Sequence, residues 1–168
     1  MNEFLNALHS DSRSDKIPED RDIFGALIGE WAIVWMDHLG TAQERKVPGE
    51  WIFSRVLDGS AVQDVFIVPS RDERRRHPQP DAEYGTTIRI YNPATGCWDI
   101  FYGCTGETYR LTGEKQGEEL ILTENTGRAM RYVFSEITAS SFKWRKEILA
   151  DADKGDWNVI AKIEAVRK

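Results

Sequence analysis

The feature that most constrains this chain is an alternation of apolar and polar residues with period two, which begins at Gly29 and runs to the C-terminus. Such a period sends successive side chains to opposite faces of a strand, so each segment that carries it has an apolar face to bury. In WAIVWMDH the shared face holds Trp31, Ile33 and Trp35; in EWIFSRVL it holds Trp51, Phe53, Arg55 and Leu57. Asp58-Gly59 then reverses the chain into SAVQDVFIV, because that dipeptide tolerates the positive φ angles of a tight hairpin. A two-residue loop there sets Phe53 against Asp64, Trp51 against Phe66 and Arg55 against Val62, with Arg55 and Asp64 as diagonal neighbours on an aromatic face.

Further hairpins follow. A turn through NPATG, residues 92 to 96, is expected to pair Ile90 with Trp98, Ile88 with Ile100 and Thr86 with Tyr102, leaving Arg89 opposite Asp99 on the reverse face. Turns near residues 114 to 119 and 136 to 141 bring YRLTG against LILTE and MRYVF against FKWRKEIL. In the latter pair Tyr132, Phe134, Phe142 and Trp144 share one face, and Arg131, Lys143, Arg145 and Glu147 the other. A last hairpin through DADKGD leads into WNVIAKIEAV. About nine or ten consecutive antiparallel strands form an up-and-down meander, and pairing its first and last strands removes the exposed edges. The expected fold is therefore all-β, a closed antiparallel up-and-down barrel, with a two-sheet sandwich as the alternative.

Ahead of the strands, residues 1 to 18 lack a sustained period and read as a loose or helical arm ending at Pro18. The next stretch, PEDRDIFGALIGEW, places acids early, Ile23, Phe24, Leu27 and Ile28 on one helical face, and Gly29 as a stop, which predicts one short amphipathic helix. A chain of 168 residues is most simply one domain, here 19 to 168 after the arm.

A net charge of −6 sets a repulsive background toward nucleic acid and anionic membranes, so neither is an expected partner. The N-terminal MNEFLNALHSDSRSDK has polar residues where a secretory signal needs an apolar run, and no segment approaches the ~20 apolar residues of a membrane span. A cytoplasmic location is expected. Cys97 and Cys104 lie at the ends of an extended GCWDIFYGC, roughly 20 Å or more apart and beyond disulfide reach. With no CxxC and three scattered histidines there is no metal-ligand spacing, so the thiols read as buried and structural, and no metal or cofactor is expected.

A short helix, then Gly29-Glu30-Trp31, then a meander of strands resembles the lipocalin and fatty-acid-binding (calycin) superfamily, most closely its uncharacterised bacterial lipocalin-like proteins. The resemblance covers about residues 20 to 168 in architecture. It implies a calycin-like barrel in which the Trp31 indole plugs the narrow end against an arginine from a late strand, Arg167 or Arg145. The second lipocalin signature, the secretion signal and the disulfide are absent, and no Arg-x-Tyr pair of the sort that grips a carboxylate in fatty-acid-binding proteins is read, which speaks against a fatty-acid ligand. A large rigid side chain at a mouth crossed by a helix is also what packing requires.

The inner face so defined carries Trp35, Trp51, Phe53, Phe66, Trp98, Tyr102, Tyr132 and Trp144, an aromatic lining of the kind that surrounds small molecules. Arg55 and Asp64 are the sharper signal, because ionised groups on an apolar face cost several kcal/mol unless paired. They read either as a bridge to each other or as the polar anchor of a ligand, with Lys146 a third polar point if it follows Trp144 inward. The opposite phase, with Ile52, Val56, Val65 and Ile67 inside, would move Arg55 and Asp64 to the surface. The long connection PSRDERRRHPQPDAEYG, with Arg74, Arg75, Arg76 and His77, reads as a solvated loop or as an anion-attracting lid, and its like charges argue against a fixed fold without a partner.

The chain carries no nucleophile elbow, phosphate loop, metal-binding helix or dinucleotide fingerprint. Asp37-His38 are adjacent on a strand and point to opposite faces, so they make no acid/base couple in one cavity. No catalytic residue is assigned. The expected function is a cytoplasmic binding protein for a small, mostly apolar or aromatic molecule inside the barrel. An enzyme on the same barrel (cyclase, isomerase or hydrolase) and an interaction domain with a filled core are the rivals. The oligomeric state is open, a homodimer included.

Overall fold

The computed structural model describes residues 2–168. Eleven strands form one antiparallel sheet. The first, β1 (His9–Ser10), is a two-residue strip that pairs with the end of β3. The remaining ten are β2 (Gly29–Asp37), β3 (Arg45–Val56), β4 (Ala61–Val68), β5 (Glu83–Asn92), β6 (Cys97–Cys104), β7 (Glu107–Gln116), β8 (Glu119–Glu124), β9 (Met130–Ser135), β10 (Ser141–Asp151) and β11 (Asp156–Arg167). Each pairs with the next, and β11 returns to β2 through Ala161↔Asp37 to Arg167↔Trp31, closing the barrel as the edge argument requires. No helix among the described residues is long and apolar enough to cross a membrane.

The two helices among the described residues are short. α1 (Glu3–Leu8) lies in the N-terminal arm, capped by the Asn2 side chain, and buries none of its residues. α2 (Arg71–Arg76) follows β4 and is capped by Ser70. The predicted amphipathic helix at 18–29 does not form; Glu19–Arg21 and Gly25–Leu27 are separate 3-10 turns. The break falls at Asp22, whose carboxylate accepts from both Nη atoms of Arg55 at 3.0 and 2.6 Å. Nearby, the Arg21 carbonyl accepts the Trp98 indole N–H at 3.0 Å. Two partly buried charges and an indole donor that find partners outweigh a few helical propensities of tenths of a kcal/mol each.

These turns carry Phe24 and Leu27, both fully buried, across one end of the barrel. Behind them Trp31 donates its indole N–H to the Leu27 carbonyl at 2.8 Å and meets the Phe142 ring at 4.7 Å. Of the two candidate cations, Arg167 stacks on Trp31 with 4.1 Å from its guanidinium carbon to the ring centre. Arg145 instead pairs with Glu119 and Glu147 on the outer face. Gly29 is required here: its φ is +132°, and a Cβ would lie 2.3 Å from Arg167 Nη1.

The first hairpin has the expected register, Trp51↔Phe66, Phe53↔Asp64 and Arg55↔Val62. The β5–β6 hairpin does not. It pairs Tyr91 with Trp98, Arg89 with Ile100 and Thr87 with Tyr102, one residue away from the expectation. The turn explains the slip: Asn92 stays in the ladder opposite Cys97, accepts from the Gly96 N–H at 2.9 Å and caps Ala94 N with its own side chain at 3.0 Å. A one-residue slip exchanges the two faces of a strand. Thr87 and Arg89 are thereby buried inside, while Ile88 and Ile90 are left half-buried outside.

The long 69–85 connection is also more fixed than its like charges suggest. The Arg71 backbone N–H, Nε and Nη2 all bond the Glu50 carboxylate on β3 at 2.9–3.0 Å, and Lys168 Nζ adds a fourth contact at 2.9 Å. The Arg71 guanidinium holds Glu50 well below the usual carboxylate range. Arg74 stacks over Tyr84 at 5.1 Å. Cys97 and Cys104 are free, and both are half-buried rather than buried, because they are the two end residues of β6.

Candidate functional site

Trp51, projecting inward from β3, is the hub of the interior. Its ring lies 5.0–6.0 Å from those of Phe53, Phe66, Phe134, Phe142 and Trp144. Toward the plugged end this cluster is solid. Toward the other end it gives way to a cavity of about 90 Å³.

A run of rings from successive inward positions forms the cavity wall. Tyr102 stacks on Tyr109 at 4.8 Å, Tyr109 lies parallel to Tyr132 at 6.0 Å, Tyr132 stacks on Trp144 at 5.8 Å, and Trp144 meets Trp35 at 5.8 Å. Phe66, Trp51 and Phe134 complete the aromatic side, with Leu111 and Leu122 as aliphatic fill. Space for Tyr102 comes from Gly85 on β5, where a Cβ would sit 2.7 Å from the phenol oxygen.

Thr87 and Arg89 from β5 form the polar side of the wall, and Glu83, Glu107 and Lys146 its rim. Arg89 Nη2 donates to Asp64 Oδ2 at 2.6 Å, with side-chain exposures of 1% and 0%. Asp64 Oδ1 accepts from the Thr87 backbone N–H at 3.1 Å. The Arg89 guanidinium also lies over the Phe24 and Phe53 rings, at 5.1 and 5.3 Å. Among the described residues, the buried side-chain polar atoms without a hydrogen-bond partner are Trp51 Nε1, Arg89 Nε, Arg89 Nη1 and Tyr102 Oη. All four belong to residues of this wall.

Titration follows the same environment. Burial, with the Glu107 charge adding to it and Lys146 opposing it, pushes Glu83 up to about 7. Burial likewise raises the Tyr109 and Tyr132 phenols, so both stay protonated. Tyr132 spends its proton on Glu124 Oε2 at 3.1 Å, and Glu124 is held in turn by Arg128. At the rim Trp35 donates to Asp37 Oδ2 at 2.9 Å, and Arg45 bridges Asp37 to Asp81 in the 77–82 segment. Asp37 therefore titrates below its ordinary range, chiefly through its hydrogen bond from Arg45.

Of the residues singled out from sequence, Trp35, Trp51, Phe66, Tyr102, Tyr132 and Trp144 meet around this cavity, and Lys146 joins them. Phe53 is packed into the solid cluster, and Trp98 sits at the plugged end against Phe24 at 5.2 Å. Arg55 and Asp64 do not meet each other: Arg55 turns to Asp22 under the N-terminal turns, and Asp64 turns to Arg89. The wall residues that sequence reasoning missed are Glu83, Thr87, Arg89, Glu107, Tyr109, Leu111, Leu122 and Phe134. Arg89 could have been found from Arg89-Ile90-Tyr91, an Arg-x-Tyr triplet whose alternate residues share a strand face. Tyr91 does face inward, but toward Trp98 at 5.7 Å and away from the cavity.

No family model matches the chain, and no curated protein matches it. Solved structures do. Rv2717c from M. tuberculosis superposes with a TM-score of 0.59 at 12% identity, over 90% of this chain and 99% of that one. The S-type phycobiliprotein lyase CPES from Guillardia theta does so with a TM-score of 0.57 at 14% identity, over 94% and 98%. At such identities the likeness is one of fold. A closed antiparallel β-barrel is what the chain shares with both.

Proposed function

We propose that this protein is a cytoplasmic binding protein for a small, mostly apolar or aromatic molecule, held at the unplugged end of its barrel. The observation that carries the proposal is the cavity itself, whose aromatic wall of Trp35, Tyr102, Tyr109, Tyr132 and Trp144 meets a rim of Glu83, Glu107 and Lys146. The two free thiols fit a reducing compartment.

Size narrows the ligand. A cavity of about 90 Å³ is smaller than the ~150 Å³ that encloses benzene. The enclosed part is thus less than a whole ring, lying along the Tyr102–Tyr109–Tyr132–Trp144 wall, with the remainder of the molecule reaching past Glu83 and Lys146. Titrating the protein with ethylbenzene while following Trp emission tests this reading. Saturable change in the native protein, abolished in a folded Leu122→Phe variant that fills the space, supports it; no change in the native protein removes it.

A second reading, an enzyme on the same barrel, is favoured by Glu83. A carboxyl near pH 7 beside Lys146 at the rim of a binding cavity has the proton affinity of a general acid or base. One neighbour in fold is named as a lyase. Incubating whatever molecule native mass spectrometry finds bound, and looking for a changed product mass that Glu83→Gln prevents, decides between the two.

A further inference from the structure

Resting on the binding reading above, we infer that the ligand is dipolar where it meets the mouth of the barrel: a small aromatic molecule of the amino-acid class, whose ammonium pairs with Glu83 and whose carboxylate pairs with Lys146.

Most charges around the mouth are committed within the protein. Asp37 and Asp81 share Arg45. Glu107 faces Arg128 at 3.2 Å, and Arg128 also holds Glu124. Arg74 lies over Tyr84 and donates to the backbone carbonyl of Glu83. Glu83 and Lys146 are the exceptions. Among the described residues neither side chain makes a hydrogen bond or an ion pair, with the other or with a third group; Glu83 bonds only through its backbone, and Lys146 Nζ stands over the Tyr132 ring at 5.8 Å.

The strands aim both side chains at the cavity. Lys146 continues the inward row of Phe142 and Trp144 on β10, opposite Tyr132 on β9, and the bulge after it sends Glu147 outward to Arg131 and Arg145. Glu83 opens β5 on the inward row that continues to Thr87 and Arg89. Both are half-buried cavity residues. Water satisfies Glu83 poorly: burial pushes its carboxyl up to about 7, and the Lys146 charge is near enough to oppose the shift. Opposite charges that feel each other without touching leave a place for a group bearing both signs. An ammonium alone would leave Lys146 unpaired, a carboxylate alone would set a second anion beside Glu83, and a hydrocarbon would meet neither. An amino-acid head answers both and adds no net charge, while its ring lies against Tyr109, Tyr132 and Trp144.

Four probes with one phenylethyl skeleton separate the possibilities: L-phenylalanine carries both charges, phenethylamine the ammonium, 3-phenylpropionate the carboxylate and ethylbenzene neither. They are compared by ligand-observed NMR at pH 8, where Glu83 is ionised. Phenylalanine should bind about tenfold or more tighter than each of the others. Glu83→Gln should weaken phenylalanine and phenethylamine several-fold and spare 3-phenylpropionate; Lys146→Met should weaken phenylalanine and 3-phenylpropionate and spare phenethylamine. Neither side chain has a partner in the protein, so both variants keep the fold. Phenethylamine or 3-phenylpropionate binding as tightly as phenylalanine overturns the inference in favour of a site for a single charge, and a preference for phenylalanine that survives both variants overturns the assignment to Glu83 and Lys146. Ethylbenzene binding as tightly as phenylalanine also overturns the inference, while leaving the cavity a binding site. Failure of all four overturns the inference and the binding reading together.

Discussion

Arg89 and Asp64 lie 25 residues apart on neighbouring strands and are joined by a 2.6 Å hydrogen bond that no solvent reaches. The pair holds the polar side of the cavity in place, and its energetics are asymmetric. Two desolvated charges of opposite sign roughly balance their burial cost, but one alone does not. Arg89→Gln, which strands the Asp64 carboxylate, is expected to destabilise the protein by about 3–5 kcal/mol. The double variant Arg89→Gln/Asp64→Asn, which removes both charges and keeps polar shape, should recover most of that loss. Urea midpoints of the three proteins check it.

The plug makes a second prediction. Gly29→Ala must place a methyl 2.3 Å from Arg167 Nη1 at a φ of +132°. A loss of about 1–3 kcal/mol is expected from the backbone alone and from displacement of Arg167 off the Trp31 ring. In an Arg167→Ala background the clash is gone, so the cost of Gly29→Ala should shrink to its backbone part. Thermal unfolding of the four proteins measures this coupling.

Glu83 gives stability a pH dependence opposite to that of an ion-paired carboxylate. Its folded value, about 7, exceeds the ordinary 4.5, so between these values the native state binds more protons than the unfolded one. Stability contributed by this group is therefore fully present below pH 4.5, falls as pH rises through the window, and is flat above about 7. Glu83→Gln should abolish the slope and raise stability at pH 8 by about 1–2 kcal/mol. Unfolding free energies of the two proteins across pH 5–8 provide the test; parallel profiles would show that Glu83 titrates normally.

At the rim, Arg45 ties Asp81 of the 77–82 segment to Asp37 and thus to Trp35 on the cavity wall. Arg45→Gln frees that segment. Because Arg45 is 38% exposed, the stability cost should stay below about 1 kcal/mol. Exchange of a bound aromatic probe should nevertheless accelerate several-fold, as read from NMR line widths. Unchanged exchange would assign the Arg45 bridge to structure alone.

The barrel itself was legible because its cause is local. Alternation from Gly29 onward, turn residues between the strands and the need to hide two edges lead to closure without knowledge of any long-range contact. The aromatic positions on β2, β3, β4, β6, β9 and β10 follow from the same alternation, and so does Trp31 at the head of β2. What misled was the β5–β6 turn, where one extra residue in the ladder exchanged the faces of β5 and hid Arg89.

The chain alone thus determined the strand order, the faces of β2, β3, β4, β6, β9 and β10, and the aromatic character of the interior, since each depends on residues a few positions apart. Only the tertiary structure decided which charges pair, Asp22 with Arg55 and Asp64 with Arg89, because burial forces every ion to find the partner that geometry brings nearest. It also decided that one end of the interior is solid and the other hollow. Free volume is what remains after all side chains are placed, a property of the sum and of no single strand.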